Sequence, residues 1–150
     1  LRRNLGACSE KPALIEGLTP VDNIALPLFC RSESDLDMER FVERLDLDLP
    51  SLPVRGLSRT QRRMVGLARA VVGGPELILI DGGLEGLPRD FVEAFREYLS
   101  ELKAAGSTIL VFSSLEQPAD NHCDVEYEID GPKLTGYEHD ESQGLNRIEL

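Results

Sequence analysis

The chain carries too little positive charge to be built for polyanions. Lysine occurs only at Lys11, Lys103 and Lys133, and 27 acidic residues against 16 Lys and Arg leave a formal net charge of −11. Phosphate-backbone binding rests on clustered Lys and Arg, so nucleic acid is excluded as a partner and anionic lipid is disfavoured. Cysteine is sparse. Cys8, Cys30 and Cys123 are odd in number and form no CxxC pair, so neither a disulfide framework nor a zinc site is implied and a reducing compartment fits best. His122 stands beside Cys123, but no further cluster completes a metal site. No run of 18 apolar residues is present, so nothing reads as a membrane span. A signal peptide and an initiator methionine are also missing, and the chain is expected to be part of a longer product or to begin late.

What remains is ordinary soluble composition, 41% apolar and 29% charged over 150 residues, enough for one domain with its own core. The stretch Leu57 to Pro88 organises it. Ser58 is placed to cap a helix in which Met64, Val65, Leu67, Ala68, Val71 and Val72 recur on one side. Gly73, Gly74 and Pro75 stop that helix. Leu77 to Asp81 follows as a short apolar run typical of a parallel strand buried on both faces. Asp81 ends the strand, and ligands of open α/β sheets gather at such carboxyl ends. Arg55, Arg59, Arg62, Arg63 and Arg69 make either a local basic patch or a solvated helix face.

Around this stretch the pattern is regular. Leu1 to Gly6 predicts a short strand, with Glu10 in the loop after it, either a solvent-exposed acid or a carboxylate able to hold magnesium. Thr19-Pro20 marks a helix start, with Val21, Ile24, Ala25 and Leu28 on the inner face. Cys30 to Asp37 reads as a loop and Met38 to Leu47 as an amphipathic helix with Phe41, Val42 and Leu45 inward. Arg89 to Ala105 predicts a helix with Phe91, Ala94, Phe95, Tyr98, Leu99 and Leu102 at core spacing. Ser107 to Phe112 reads as a buried strand, and Pro118 to Cys123 as a loop or short helical turn. Asp124 to Ile129 and Lys133 to Tyr137 read as two strands joined by the turn Asp130-Gly131-Pro132. The polar tail, Glu138 to Leu150, is expected to fray.

These segments together resemble the ABC transporter ATPase domain. Leu57-Ser58-Arg59-Thr60-Gln61 stands where that family has its LSGGQ signature, Gln61 to Val72 resembles the QRxxxARAL helix, and Leu77 to Asp81 resembles the strand before its catalytic acid. Leu5 to Glu10 falls at the family's glutamine loop, Leu18 to Leu28 resembles LTVxENVxLPL, and Ile109 to Ser114 resembles the last core strand with its switch residue. The segment Asn23 to Leu28 is also similar to the lipoprotein-release and phospholipid-trafficking branches of the family.

The resemblance also exposes losses. Phosphoryl transfer needs a phosphate cradle, a metal ligand, a group that positions water and a γ-phosphate sensor. No GxxxxGK[ST] loop occurs within the 150 residues. Gly82 stands at the water-positioning glutamate, Pro88 at the aspartate of the following turn, Ser114 at the switch histidine and Glu10 at the loop glutamine. Arg59 and Thr60 replace the two signature glycines. Ser58, Gln61 and Asp81 survive.

The resemblance therefore implies an α/β fold, a P-loop NTPase-like and mostly parallel sheet flanked by helices, with a reduced helical subdomain at 29–56, a C-terminal β hairpin and a flexible tail at 138–150. It implies a degenerate, non-hydrolytic ATPase-like subunit acting as structural or regulatory partner of a transport complex. Nucleotide-facing residues would be Ser58, Arg59, Gln61, Asp81 and Glu10, with no intact catalytic residue and no resident metal. ATP and magnesium are expected only where an upstream phosphate loop or a partner ATPase supplies the missing groups. Expected partners are the transporter's membrane subunit and a second ATPase domain or a second copy, and the expected place is cytoplasmic, at the inner face of the membrane. Two other readings stay open: the C-terminal part of a working ABC ATPase whose phosphate loop lies before Leu1, and an α/β interaction domain with no nucleotide.

Overall fold

A computed structural model of the chain describes residues 4–31, 36–112, 123–130, 133–140 and 144–148. The chain divides into two compact units, Leu1–Ser114 and Leu115–Leu150. The first holds strand β1 (Leu5–Cys8), helices α1 (Pro20–Arg31), α2 (Met38–Arg44) and α3 (Arg59–Val71), strand β2 (Leu77–Asp81), helix α4 (Arg89–Ala104) and strand β3 (Thr108–Phe112). Its sheet is parallel in the order β1-β2-β3, with Cys8 opposite Ile80 and Asp81 opposite Phe112.

The central strand behaves as its apolar run demands: Ile78 and Ile80 are fully buried and Leu77 and Leu79 half-buried. Helix α3 lies so close to β1 that a Cβ on Gly6 would come 1.7 Å from the Ala70 carbonyl oxygen. Only glycine permits that approach. Helix α4 buries Phe91 and Phe95, whose rings stack with centroids 5.5 Å apart. Ser107 then donates to the Pro75 carbonyl at 2.8 Å, and the Thr108 N–H donates to the Glu76 carbonyl at 2.8 Å, setting β3 in register with β2.

The predicted start of α1 is in place. Thr19 Oγ1 accepts from the Asp22 N–H at 3.2 Å and donates to the Asp22 carboxylate at 2.6 Å, with Pro20 in the first turn. Ile24 and Leu28 are buried as expected, but Val21 faces outward at 39% exposure. Polar bonds hold the first turn alongside the buried Pro20 and Ile24. The fully buried Asn23 accepts from the Ile15 N–H at 2.8 Å and donates to the carbonyls of Ile15 and Thr19. The helix continues to Arg31, into the stretch read as a loop. Helix α2 is shorter than predicted, because Asp46 turns into the left-handed region at φ 51°. It docks on α4 through Phe41 against Tyr98, ring centroids 5.6 Å apart, and through Arg44, which lies 5.0 Å over the Tyr98 ring and pairs with Glu101.

One strand differs in burial. The stretch read as buried forms β3, but Leu110, Val111 and Phe112 are 45, 48 and 53% exposed. Among the described residues β3 is an edge strand, and both its faces are left largely open, so an apolar run alone did not decide coverage.

The second unit is an antiparallel sheet in the order β4 (Val125–Asp130), β5 (Lys133–Asp140), β6 (Gly144–Ile148). The predicted hairpin is there, with Asp130 opposite Lys133, but β5 runs on and β6 adds a strand from the stretch expected to fray. Backbone ladder bonds need no apolar side chains, so polar composition concealed these residues. Residues 131–132 of the predicted turn, Pro118 to His122 of the predicted loop, and Ser113 and Ser114 lie outside the described residues. Among the described residues, no helix is long and apolar enough to cross a membrane.

The Gly6 contact predicts a sharp asymmetry between glycines. Gly6→Ala should cost about 3 kcal/mol, because the clash is with backbone that cannot yield. Gly17→Ala, with nothing within 4 Å of the added Cβ, should stay within about 0.5 kcal/mol. Urea unfolding of both variants measures the difference.

Candidate functional site

The loops leaving β1 and β2 meet the start of α3, and five of the residues singled out in the sequence converge there. Ser58 and Gln61 form a reciprocal capping box. The Gln61 N–H donates to Ser58 Oγ at 3.2 Å and the Ser58 N–H donates to Gln61 Oε1 at 3.0 Å. Both side chains thus satisfy helix-end groups of their own chain. Arg59, the first helical residue, donates to Glu10 Oε1 at 2.5 Å across 49 residues of sequence. Glu10 in turn lies against Gly82: a Cβ on Gly82 would be 3.4 Å from Glu10 Cγ. Asp81 is exposed at the end of β2, and its carbonyl faces inward to accept a bond.

That bond comes from Arg63, one of the arginines expected either in a local basic patch or on a solvated helix face. Arg63 is only 7% exposed. Its Nη2 donates to the carbonyls of Asp81 at 2.8 Å and Gly82 at 2.6 Å, and its Nη1 donates to the Ser9 carbonyl and to Cys8 Sγ. The guanidinium therefore ties the end of β1 to the end of β2. Helical spacing could have revealed it: Arg63, Leu67 and Ala70 share the inward face at i, i+4 and i+7, and all are buried.

The rest of the presumed patch is likewise engaged, apart from the exposed Arg55. Arg62 pairs with Glu16 at 2.5 Å and donates to the Val54 carbonyl at 2.9 Å, and Arg69 donates to the Ala13 carbonyl at 2.8 Å. The hydrogen bond from Arg62 holds the Glu16 carboxyl below the usual carboxylate range, and Glu16 raises Arg62 in return. Burial pulls Arg69 down, partly offset by Cys8. The same helix closes on Pro12, whose Cβ would lie 2.5 Å from a Cβ on Gly66. Neither a basic patch nor a simply solvated face describes this helix; its arginines are ties to the loop 9–16.

Of the three positions where the resemblance expects a catalytic group, two are described. Gly82 sits at φ 82°, in the left-handed region that L side chains seldom adopt. Pro88 forms the N-cap of α4 at φ −56° and ψ 139°, without a side-chain capping bond. The third, Ser114, lies outside the described residues.

A magnesium nucleotide does not fit the described groups by themselves. Glu10 is paired to Arg59, and the guanidinium of Arg63 is buried against the ends of β1 and β2, away from a ligand in solution. Among the described residues no three His, Cys, Asp or Glu gather as a metal site.

Comparison with known proteins finds similarity to ATP-binding proteins of transporters. The sequence model of the family described as ABC transporter matches residues 1–84. A lantibiotic transport ATP-binding protein of Streptococcus pyogenes is 22% identical over 97% of this chain and 65% of its own length. A Nod factor export ATP-binding protein of Azorhizobium caulinodans is 30% identical over 82% of this chain and 40% of its own. An ABC transporter ATP-binding protein of Nostoc is 32% identical over 83% and 39%. The chain thus spans two thirds or less of these relatives. Among solved structures, an ATP-binding subunit of an ABC transporter superposes with a TM-score of 0.73 at 26% identity, covering 83% of this chain and 54% of that one. A dimeric bacterial ABC transporter cassette, MJ0796, superposes with a TM-score of 0.61 at 25% identity, covering 75% and 53%.

Burial, the largest influence, pushes the Cys8 thiol above its ordinary 9.0, against the pull of Arg63 and Arg69. A raised pKa favours the neutral thiol in the fold, so its contribution is complete below pH 9 and lost as pH rises beyond it. Unfolding free energy should fall more steeply between pH 9 and 11 in the native chain than in Cys8→Ala, as chemical denaturation at each pH would show.

Proposed function

Since this chain belongs to the ABC transporter family of ATP-binding domains, we propose that it acts as a non-hydrolytic ATPase-like subunit, a structural or regulatory partner within a membrane transport complex. The observation that carries this reading is Gly82. At the position where the family resemblance expects a water-positioning glutamate there is no side chain, and the backbone stands at φ 82°, which disfavours one. Pro88 at the next expected acid and the engagement of Glu10 by Arg59 support it. Positioning and electrostatic stabilisation make up most of phosphoryl-transfer catalysis, so a chain without them turns over poorly even when nucleotide is delivered.

Its partners are the transporter's membrane subunit and a second ATP-binding domain or a second copy, its station the inner face of the membrane. The membrane subunit would select the cargo. A second reading, part of a working ATPase whose phosphate loop lies outside these residues, draws support from the 65% or lower coverage of the curated relatives. Such a loop would restore binding without replacing the group missing at Gly82.

The test is ATP turnover by the purified full-length product, alone and with its membrane subunit, beside an intact family member. Turnover should lie at least about 100-fold below the intact protein, the scale of a lost acid–base or positioning group. Comparable rates would refute the non-hydrolytic reading.

A further inference from the structure

Arg63 is a cation shut inside the protein, with no anion bonded to it among the described residues. Among the described residues its guanidinium meets only neutral partners, the carbonyls of Ser9, Asp81 and Gly82 and the thiol of Cys8, with the Gly83 carbonyl at 3.5 Å. A buried charge held by dipoles alone retains a strong preference for a counter-charge, because desolvation is only partly offset. The acid beside Gly82 does not bond to it. Glu10 lies beside Gly82, but its carboxylate is bound to Arg59 on the other side.

The position facing this cation is Gly82 itself. A Cβ built there would sit 3.4 Å from Arg63 Nη2, an ordinary van der Waals contact, so a carboxyl one bond further falls within hydrogen-bonding reach. We propose that Arg63 is a positioning residue that clamps the loop after β2 and captures any carboxylate introduced at position 82, so that this loop is withheld from acid–base work by two residues and not by the missing side chain alone. The proposal rests on the non-hydrolytic reading above. It adds that restoring the acid does not restore the function. A carboxylate caught by a buried guanidinium is ionised and fixed, and it points into the protein instead of toward a water.

The test titrates the captured group directly. Gly82→Asp is the probe, since aspartate tolerates the left-handed backbone better than glutamate, and Gly82→Asn carries the same strain without the charge. Carbon-13 NMR of the introduced carboxyl in the full-length protein should show protonation at least tenfold weaker than for an exposed aspartate. Gly82→Asp combined with Arg63→Gln should return it to the ordinary range. Gly82→Asp should also lose stability on acidification relative to Gly82→Asn, since a depressed carboxyl contributes above its unfolded pKa and is lost below. Should the Arg63→Gln variant fail to fold, the single Gly82→Asp titration still decides. A carboxyl that titrates as an exposed one overturns the proposal, as does one indifferent to Arg63. ATP turnover by the unaltered protein is a separate outcome: it would sink the non-hydrolytic reading and leave the titration standing.

Discussion

The contact on which the first unit depends is the grip of helix α3 on the loop that follows β1. Arg59 holds Glu10, Arg62 holds Glu16, Arg63 holds the Ser9 carbonyl and Arg69 holds the Ala13 carbonyl, while Gly66 lets Pro12 close onto the helix. Exposed pairs such as Arg59 with Glu10 contribute little singly. The buried fork of Arg63 is different, because removing it would orphan carbonyls from two strand ends at once. One helix thereby sets the loop, the strand ends and the turn at Gly82.

That grip has a consequence for chemistry. The strand ends of an open parallel sheet are where a ligand would be met. Here the Arg63 guanidinium joins the ends of β1 and β2, and Glu10 is turned toward Arg59. The surviving signature residues serve the same internal ends, since Ser58 and Gln61 cap one another's backbone. Family membership removes the idea of an interaction domain with no nucleotide ancestry, and in the local geometry Glu10, Arg59, Ser58 and Gln61 all bond to partners within the chain.

The elements themselves were largely legible. The ends of α3 and α4 and the bounds of β2 follow from Ser58, Pro88, the glycines at 73 and 74, and the apolar run 77–81, all local signals. Coverage was not legible in the same way. Val21 and Leu110, Val111 and Phe112 of β3 have core composition but stand exposed, because exposure depends on what lies alongside. The strand β6 escaped notice since backbone pairing leaves little mark in polar sequence.

The sequence by itself determined the family, the parallel α/β order and the absence of a side chain at position 82, because these are written in residue identities and their spacing. Only the tertiary structure decided what the arginines do. A charge count treats Arg59, Arg62, Arg63 and Arg69 alike, yet one is buried and the others bridge to acids and carbonyls some 50 residues away. Burial and long-range pairing are properties of packed neighbours, and no local window of sequence contains them.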